Sequence, residues 1–351
     1  MNILIIGSGS CEHALIEKLK ASPLCDIIYC APGNPGIGQI ATRVDIALNE
    51  VDELVNFAIQ HHVGLVITCS HVPIQNDAAV KFESYGIKVF APYAEDLRFM
   101  IRSDNMKPIC EMLNIAYSTM ENEHTRFYTC LADGKNIVPL LSYVSYNYMY
   151  DHDEGNKTSS MGCYINGKFQ DFYISKLSKE ILNPLAEELN NCGIYYKGFL
   201  GVKVTIESDK ITLNGYDMHI SGTVMAVIAN KLDSDLLKII LKATDGKLSS
   251  NMIKWNSLSV VSVVMLSTLP NTVISELNIA NSLSPDVKIY QSRTKTDEEG
   301  RLTASGGRVL CVCAFDKKLE KARIKAYDVI LRTSFSGMYY RSDIARQVIK
   351  K

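Results

Sequence analysis

"NILIIGSGSCEHAL", Asn2 to Leu15, is the stretch from which the rest of the chain is read. Asn2–Gly7 is a short apolar run suited to a buried strand, and a helix is expected from about Glu12. Between them lie Gly7, Ser8 and Gly9. A glycine loop leading a strand into a helix N-terminus presents free backbone N–H groups, a ready place for a phosphate. The dinucleotide fingerprint G-x-G-x-x-G would need glycine at position 12, and Glu12 stands there instead. A Rossmann dehydrogenase is therefore not expected. A phosphate loop and a plain strand-to-helix turn both remain open.

Outward from this loop the first hundred residues alternate between strand and helix. "DIIYC" (Asp26–Cys30) is a second strand ending in the turn "APGNPG" (Ala31–Gly36). A short strand at "RVDIA" and a helix from about Glu50 to His61 follow. "LVITC" (Leu65–Cys69), a helix over Asp77–Tyr85 and "KVFAP" (Lys88–Pro92) complete the series. Such alternation predicts a parallel doubly wound sheet with helices on both faces, whose ligands sit at the carboxyl ends of the strands.

Beyond Ser103 the pattern changes to α/β of another kind. Ser103 caps a short helix, and Arg126–Val144 reads as a hairpin turning at Asp133-Gly134. A polar loop, "YDHDEGNKTSSMG", comes next, with Asp151, His152, Asp153 and Glu154 as a candidate cation cluster. A long helix from about Lys179 to Asn191 leads to the paired strands "KGFLGVKVTIES" and "KITLNGYDMH", and one helix is expected over about Thr223–Ala243. Strands near Val260–Leu266, Val287–Gln291 and Val309–Phe315 and a helix over Leu319–Leu331 close the chain. Asp217 and His219, two apart on a strand, share a face and make at most half of a metal site.

The chain's 351 residues suggest two or three domains. With 47% hydrophobic and 21% charged residues it has the make-up of a globular protein with a sizeable core. A net charge of −1 supplies no field for nucleic acid or an anionic membrane, so neither is an expected partner. The apolar runs are too short for a bilayer and the N-terminus lacks the marks of a signal peptide, so a cytoplasmic setting is expected. The ten cysteines contain no CxxC pair, which points to reduced structural thiols.

Taken together these motifs resemble the phosphoribosylamine–glycine ligases (glycinamide ribonucleotide synthetases), ATP-grasp enzymes of purine biosynthesis. "NILIIGSGSCEHAL" is similar to the family's G-x-G-G-R-E-H-A-L opening, and "APGNPG" matches as it stands. "KVFAPYAED" resembles its V-F-G-P segment. "DHDEGNKTSSMGCY" resembles its D-x-x-x-G-P-N-T-G-G-M-G-x-Y loop. "SGGRVLCVCA" (Ser305–Ala314) and "YRSDIARQVI" (Tyr340–Ile349) match its C-terminal part. The resemblance implies an N-terminal α/β domain over 1–100, a reduced ATP-grasp core over 103–250 and a small mixed domain over 251–351.

The departures are as specific as the matches. The family's loop arginine is Cys11, its G-P-E-x-P-L turn is "CSHVPI" with Pro73 retained, and its Ser-Lys pair is Ser103-Asp104. A long block between Tyr117 and Arg126 is missing, and with it the ATP lid, the lysine strand and the adenine hinge. In the family's E-F-N-x-R-F-G-D-P-E segment, its metal-holding Glu and Asn become Gly215 and Asp217, its Arg becomes His219 and its last Glu becomes Val224. The family uses ATP and magnesium; here no metal site, no cofactor and no catalytic residue are expected. The expectation is a degenerate family member whose remaining ligand site is in the N-domain, at Gly7, Gly9, Glu12, His13, Pro32, Gly33 and Asn34. Its ligand is expected to be a phosphoribosyl small molecule, or its partner a protein. A ligase with a rebuilt site and a purely structural or regulatory subunit are the alternatives.

Overall fold

The computed structural model describes residues 1–122, 124–167, 172–218, 220–277 and 284–349. Strands β1 (Asn2–Gly7), β2 (Ile28–Pro32), β3 (Thr42–Arg43), β4 (Val63–Thr68) and β5 (Lys88–Phe90) form one parallel sheet in the order β3-β2-β1-β4-β5. Helices α1 (Ser10–Lys20), α2 (Val51–Gln60), α3 (His71–Gln75), α4 (Ala78–Ser84) and α5 (Ala94–Ile101) connect and flank it. The central strand shows why the chain folds this way. Ile3 and Ile5 pack with Ala14, Leu15 and Leu19 of α1, while Leu4 and Ile6 pack with Leu54 and Val55 of α2. Alternate side chains thus feed two cores, and each buried Ile or Leu contributes about 1.5–3 kcal/mol.

α6 (Ser103–Met112) leaves this domain. The second half is built on strands β6 (Thr125–Asp133), β7 (Ile137–Tyr150), β8 (Glu154–Ile165), β9 (Lys197–Glu207), β10 (Lys210–Asp217) and β11 (Ser259–Ser267). To these are added β12 (Thr272–Val273), β13 (Val287–Gln291), β14 (Thr294–Thr296), β15 (Leu302–Ala304), β16 (Gly307–Asp316) and β17 (Met338–Tyr339). Nine of these strands make one sheet, in the order β10-β9-β6-β7-β8-β11-β16-β13 with β17 beside β11, and β12-β15-β14 make a small separate sheet. Gly162–Ile165 of β8 pair with Val260–Val263 of β11, so hydrogen bonding runs across the division expected at 250/251. The doubly wound N-terminal sheet and the shortened ATP-grasp core are both present. Only residues 113–124 connect α6 to β6.

Three local expectations need correction. "EGNKTSSMG" is strand β8 rather than loop, the turn being confined to Asp151–Asp153. Its first half is largely exposed, so it lacks the apolar alternation that marks a half-buried strand. The helix expected over Thr223–Ala243 is two, α7 (Gly222–Lys231) and α8 (Leu236–Thr244), capped by Ser221 and Asp235, whose side chains accept from Val224 N and Lys238 N. The polar break Asp233-Ser234-Asp235 between the two apolar runs supplies a second cap and restarts the helix. The helix expected from Lys179 begins earlier, at Ile174, with π geometry over Ser178–Leu182. All ten cysteines are free thiols, eight of them buried. Among the described residues no helix is long and apolar enough to cross a membrane.

Candidate functional site

The glycine loop is shaped by a buried carboxylate. Gly9 N donates to Glu12 Oε2 at 2.7 Å, closing a capping box at the start of α1. A Cβ on Gly7 would lie 2.5 Å from the Glu12 side chain, so glycine is what lets the carboxylate in. Burial raises the Glu12 pKa. This loop therefore spends the Gly9 amide on its own helix, and the Glu12 carboxyl beneath it competes with a phosphate for that donor. Cys11, at the loop-arginine position, points inward, its thiol pKa pushed up by a hydrogen bond with Cys69 and by burial.

Asn34 and His13 tie this loop to β13, some 250 residues away in the chain. Asn34 Nδ2 donates to Ser8 O and Gln291 O, both at 2.9 Å, and its Oδ1 accepts from Ile37 N at 2.9 Å. His13 Nδ1 accepts from Gln291 N at 3.0 Å, and its ring meets Tyr290 edge-on. Burial lowers the His13 pKa to about 4, so the ring is neutral. Both side chains hold the two halves of the molecule together.

The tie creates a cleft of about 630 Å³. Ser8, Gly9, Pro32, Gly33 and Asn34 form its N-domain wall; Arg43 stands at its edge, and Arg293, Lys295 and Ser305 face them from the C-terminal half. Ser305 Oγ is buried there with no hydrogen-bond partner among the described residues. Among the described residues, Arg43, Arg293 and Lys295 make no ion pair; Arg43 Nε donates to Pro32 O at 3.3 Å. A second cleft of about 760 Å³ adjoins it, with Ser292 and Arg293 lining both. Its walls include Tyr150, Met161, Tyr339 and Arg308, whose guanidinium donates to Ser159 Oγ. Burial, and then the charge of Arg293, push the Arg308 pKa down. Two uncompensated guanidiniums beside an orphaned hydroxyl favour an anion.

The four basic residues are absent from the site expected from sequence. "SRTKT" (Ser292–Thr296) and "SGGR" (Ser305–Arg308) carry three of them in short polar runs around β14 and β16, and that was their available signal.

The positions expected to match the family's metal ligands lie elsewhere, on β10 and α7. Gly215 sits at a register shift of β10 with φ +144°, and nothing lies within 4 Å of where a Cβ would project. Asp217 pairs across from Gly201. Val224 is buried in the apolar core. His219 lies outside the described residues. Asp104 is in the first turn of α6, and its side chain is not described. Among the described residues no three His, Cys, Asp or Glu side chains group to hold a metal, and an empty glycine and a core valine do not fit a magnesium pair. The acidic turn at Asp151–Glu154 is tied down instead. Arg341, fully buried, meets Asp153 at 2.8 Å and Asp343 at 2.7 Å, while Asp151 accepts from Ser342 N at 2.8 Å.

Family models described as "Phosphoribosylglycinamide synthetase" match three parts of the chain: the N domain over 1–99, the ATP-grasp (A) domain over 120–221 and the C domain over 260–347. The chain is 26% identical to a phosphoribosylamine–glycine ligase of Caldanaerobacter subterraneus, over 98% of its own length and 99% of that relative's. It is 27% identical to the chloroplastic enzyme of Arabidopsis thaliana, over 97% of this chain and 79% of that one. The first alignment runs over 420 positions against a chain of 351, which makes this a shortened relative. In fold it is similar to the phosphoribosylamine–glycine ligase of Thermotoga maritima, with a TM-score of 0.78 and 16% identity over 98% of this chain and all of that one. It is also similar to the biotin carboxylase subunit of a pyruvate carboxylase, with a TM-score of 0.66 and 9% identity over 97% of this chain and 92% of the other.

Proposed function

Since the chain belongs to the phosphoribosylamine–glycine ligase family, we propose that it is a cytoplasmic, catalytically degenerate member that binds a phosphate ester. The observation that carries this reading is the contrast between its two sites. The cleft at Gly9, Gly33 and Arg293 keeps unpaired basic groups and an orphaned Ser305 hydroxyl. The positions that should clamp magnesium and ATP phosphates are occupied by Gly215 and the core residue Val224.

Ligation by the family's chemistry needs charge neutralisation on the transferred phosphate and a lid that excludes water. Loss of one electrostatic stabiliser costs about 10²–10³ in rate, and here several go together with the lid block. The phosphate ester has a different set of groups to rely on. Its dianion meets Arg43, Arg293 and Lys295, and the Ser305 hydroxyl donates to a phosphate oxygen. Cys11 in place of arginine removes one bidentate contact, so the affinity is modest.

The test is thermal unfolding with ribose 5-phosphate and with Mg·ATP, alongside an assay for ADP release in the presence of phosphoribosylamine and glycine. Ribose 5-phosphate at a hundred times its dissociation constant should stabilise by about 2.7 kcal/mol, and Mg·ATP should leave the transition unmoved. ADP released in step with glycinamide ribonucleotide would overturn the degenerate reading. No shift with millimolar ribose 5-phosphate would remove the phosphate site.

A further inference from the structure

The basic cleft is one half of a larger depression. Ser292 and Arg293 line both clefts, so the two meet at the turn that follows β13. Their chemistry differs. Arg43, Arg293 and Lys295 edge the first. Met149, Tyr150, Met161 and Tyr339 wall the second. The rings of Tyr150 and Tyr339 meet at 5.4 Å and 88°, and Tyr150 keeps 48% of its surface open. A ribose phosphate alone would occupy the basic half and leave this aromatic wall in water.

We infer that the ligand is a nucleoside 5′-monophosphate, its phosphate in the basic cleft and its base against Tyr150 and Tyr339. This deepens the phosphate-ester reading of the same site and rests on it. Clefts of about 630 and 760 Å³ are of the size that takes a small organic ligand, and the ribose spans the turn they share. An aromatic base gains from tyrosine faces and edges what a bare sugar cannot. Arg293, common to both halves, reaches the monophosphate, and Arg308 lies among the aromatic wall's neighbours with no carboxylate paired to it among the described residues. A triphosphate would bring charge that only a metal clamp could hold, and the residues here do not form one.

Calorimetric titration of the full chain with adenosine 5′-monophosphate, ribose 5-phosphate and adenosine tests this. The nucleotide should bind roughly tenfold more tightly than ribose 5-phosphate. Tyr150→Leu should erase that advantage while leaving ribose 5-phosphate affinity unchanged, and Arg293→Met should weaken both phosphates alike, by roughly tenfold. Equal affinity of the wild type for the two phosphates overturns the nucleotide inference and leaves the phosphate reading standing. Adenosine binding as well as its monophosphate overturns the phosphate reading, and no binding of either phosphate at millimolar concentration overturns both. The wild-type comparison stands even if a variant fails to fold.

Discussion

Two regions of this molecule have parted company. Around Gly33, Arg293 and Lys295 line an open cleft and make no ion pair among the described residues, and the buried Ser305 hydroxyl has no partner among them. At β10 and α7, the positions expected to carry metal-holding acids have no carboxylate: Gly215 faces empty space, and Val224 lies in the core beside Met225, Val227 and Ile228. A buried polar group without a partner costs free energy, so it persists where something else satisfies it. A site with nothing left to bind is free to become core. On the proposed function, the first region stays open to a ligand and the second has closed into the fold.

The strongest way to break this comparison is to restore the lost carboxylate. Val224→Glu should destabilise the protein by about 3–4 kcal/mol in urea unfolding, because it places an unpaired carboxyl in the apolar core. A variant as stable as wild type, gaining magnesium affinity, would show that the metal region is dormant and not absorbed.

Next in size is a pH effect at the tie between the halves. Burial lowers the His13 pKa from 6.5 to about 4, so the unfolded chain takes up a proton that the folded one refuses. Stability is therefore full above pH 6.5 and falls as the pH drops toward 4, by about 3 kcal/mol in total. His13→Gln should flatten that part of the profile; an unchanged slope would place the titration elsewhere. Asn34→Ala should follow, at about 2–3 kcal/mol, since it strands the hydrogen-bond partners at Ser8, Ile37 and Gln291. It should also weaken phosphate binding, because both walls of the cleft hang on that amide. The smallest effect sharpens the contrast: Gly215→Ala should cost about 1 kcal/mol, from backbone strain alone, and leave phosphate affinity as it was.

The N-terminal sheet was legible because its central strands are buried on both faces and its turns are marked by glycine and proline. Gly7, Gly9 and Gly33 stand out in the sequence for the same reason; Gly9 and Gly33 line the cleft, while Gly7 packs against the Glu12 side chain. The facing wall was not legible. Arg293, Lys295 and Ser305 come to Gly9 only through packing of β13 against α1, and no local pattern records a contact across that much chain. His13 and Asn34 are expected from sequence to be ligand-binding residues, and in the structure their hydrogen bonds go to β13 and to the loop itself. β8 was missed because charge and exposure along Glu154–Thr158 hide a strand whose pairing is set by its neighbours.

The pairing of β8 with β11 also bears on how the chain is made. Gly162–Ile165 emerge from the ribosome well before their partners at Val260–Val263. At about 5–20 residues per second, the roughly hundred residues between them take about 5–20 s to synthesise. Throughout that interval β8 is an open edge carrying unpaired backbone groups, the kind of template that recruits foreign strands. A nascent chain halted before Ser259 should therefore aggregate, with light scattering rising as its length approaches that point and falling once β11 is released. The strand that joins the two halves of the finished protein is, for those seconds, its most exposed liability.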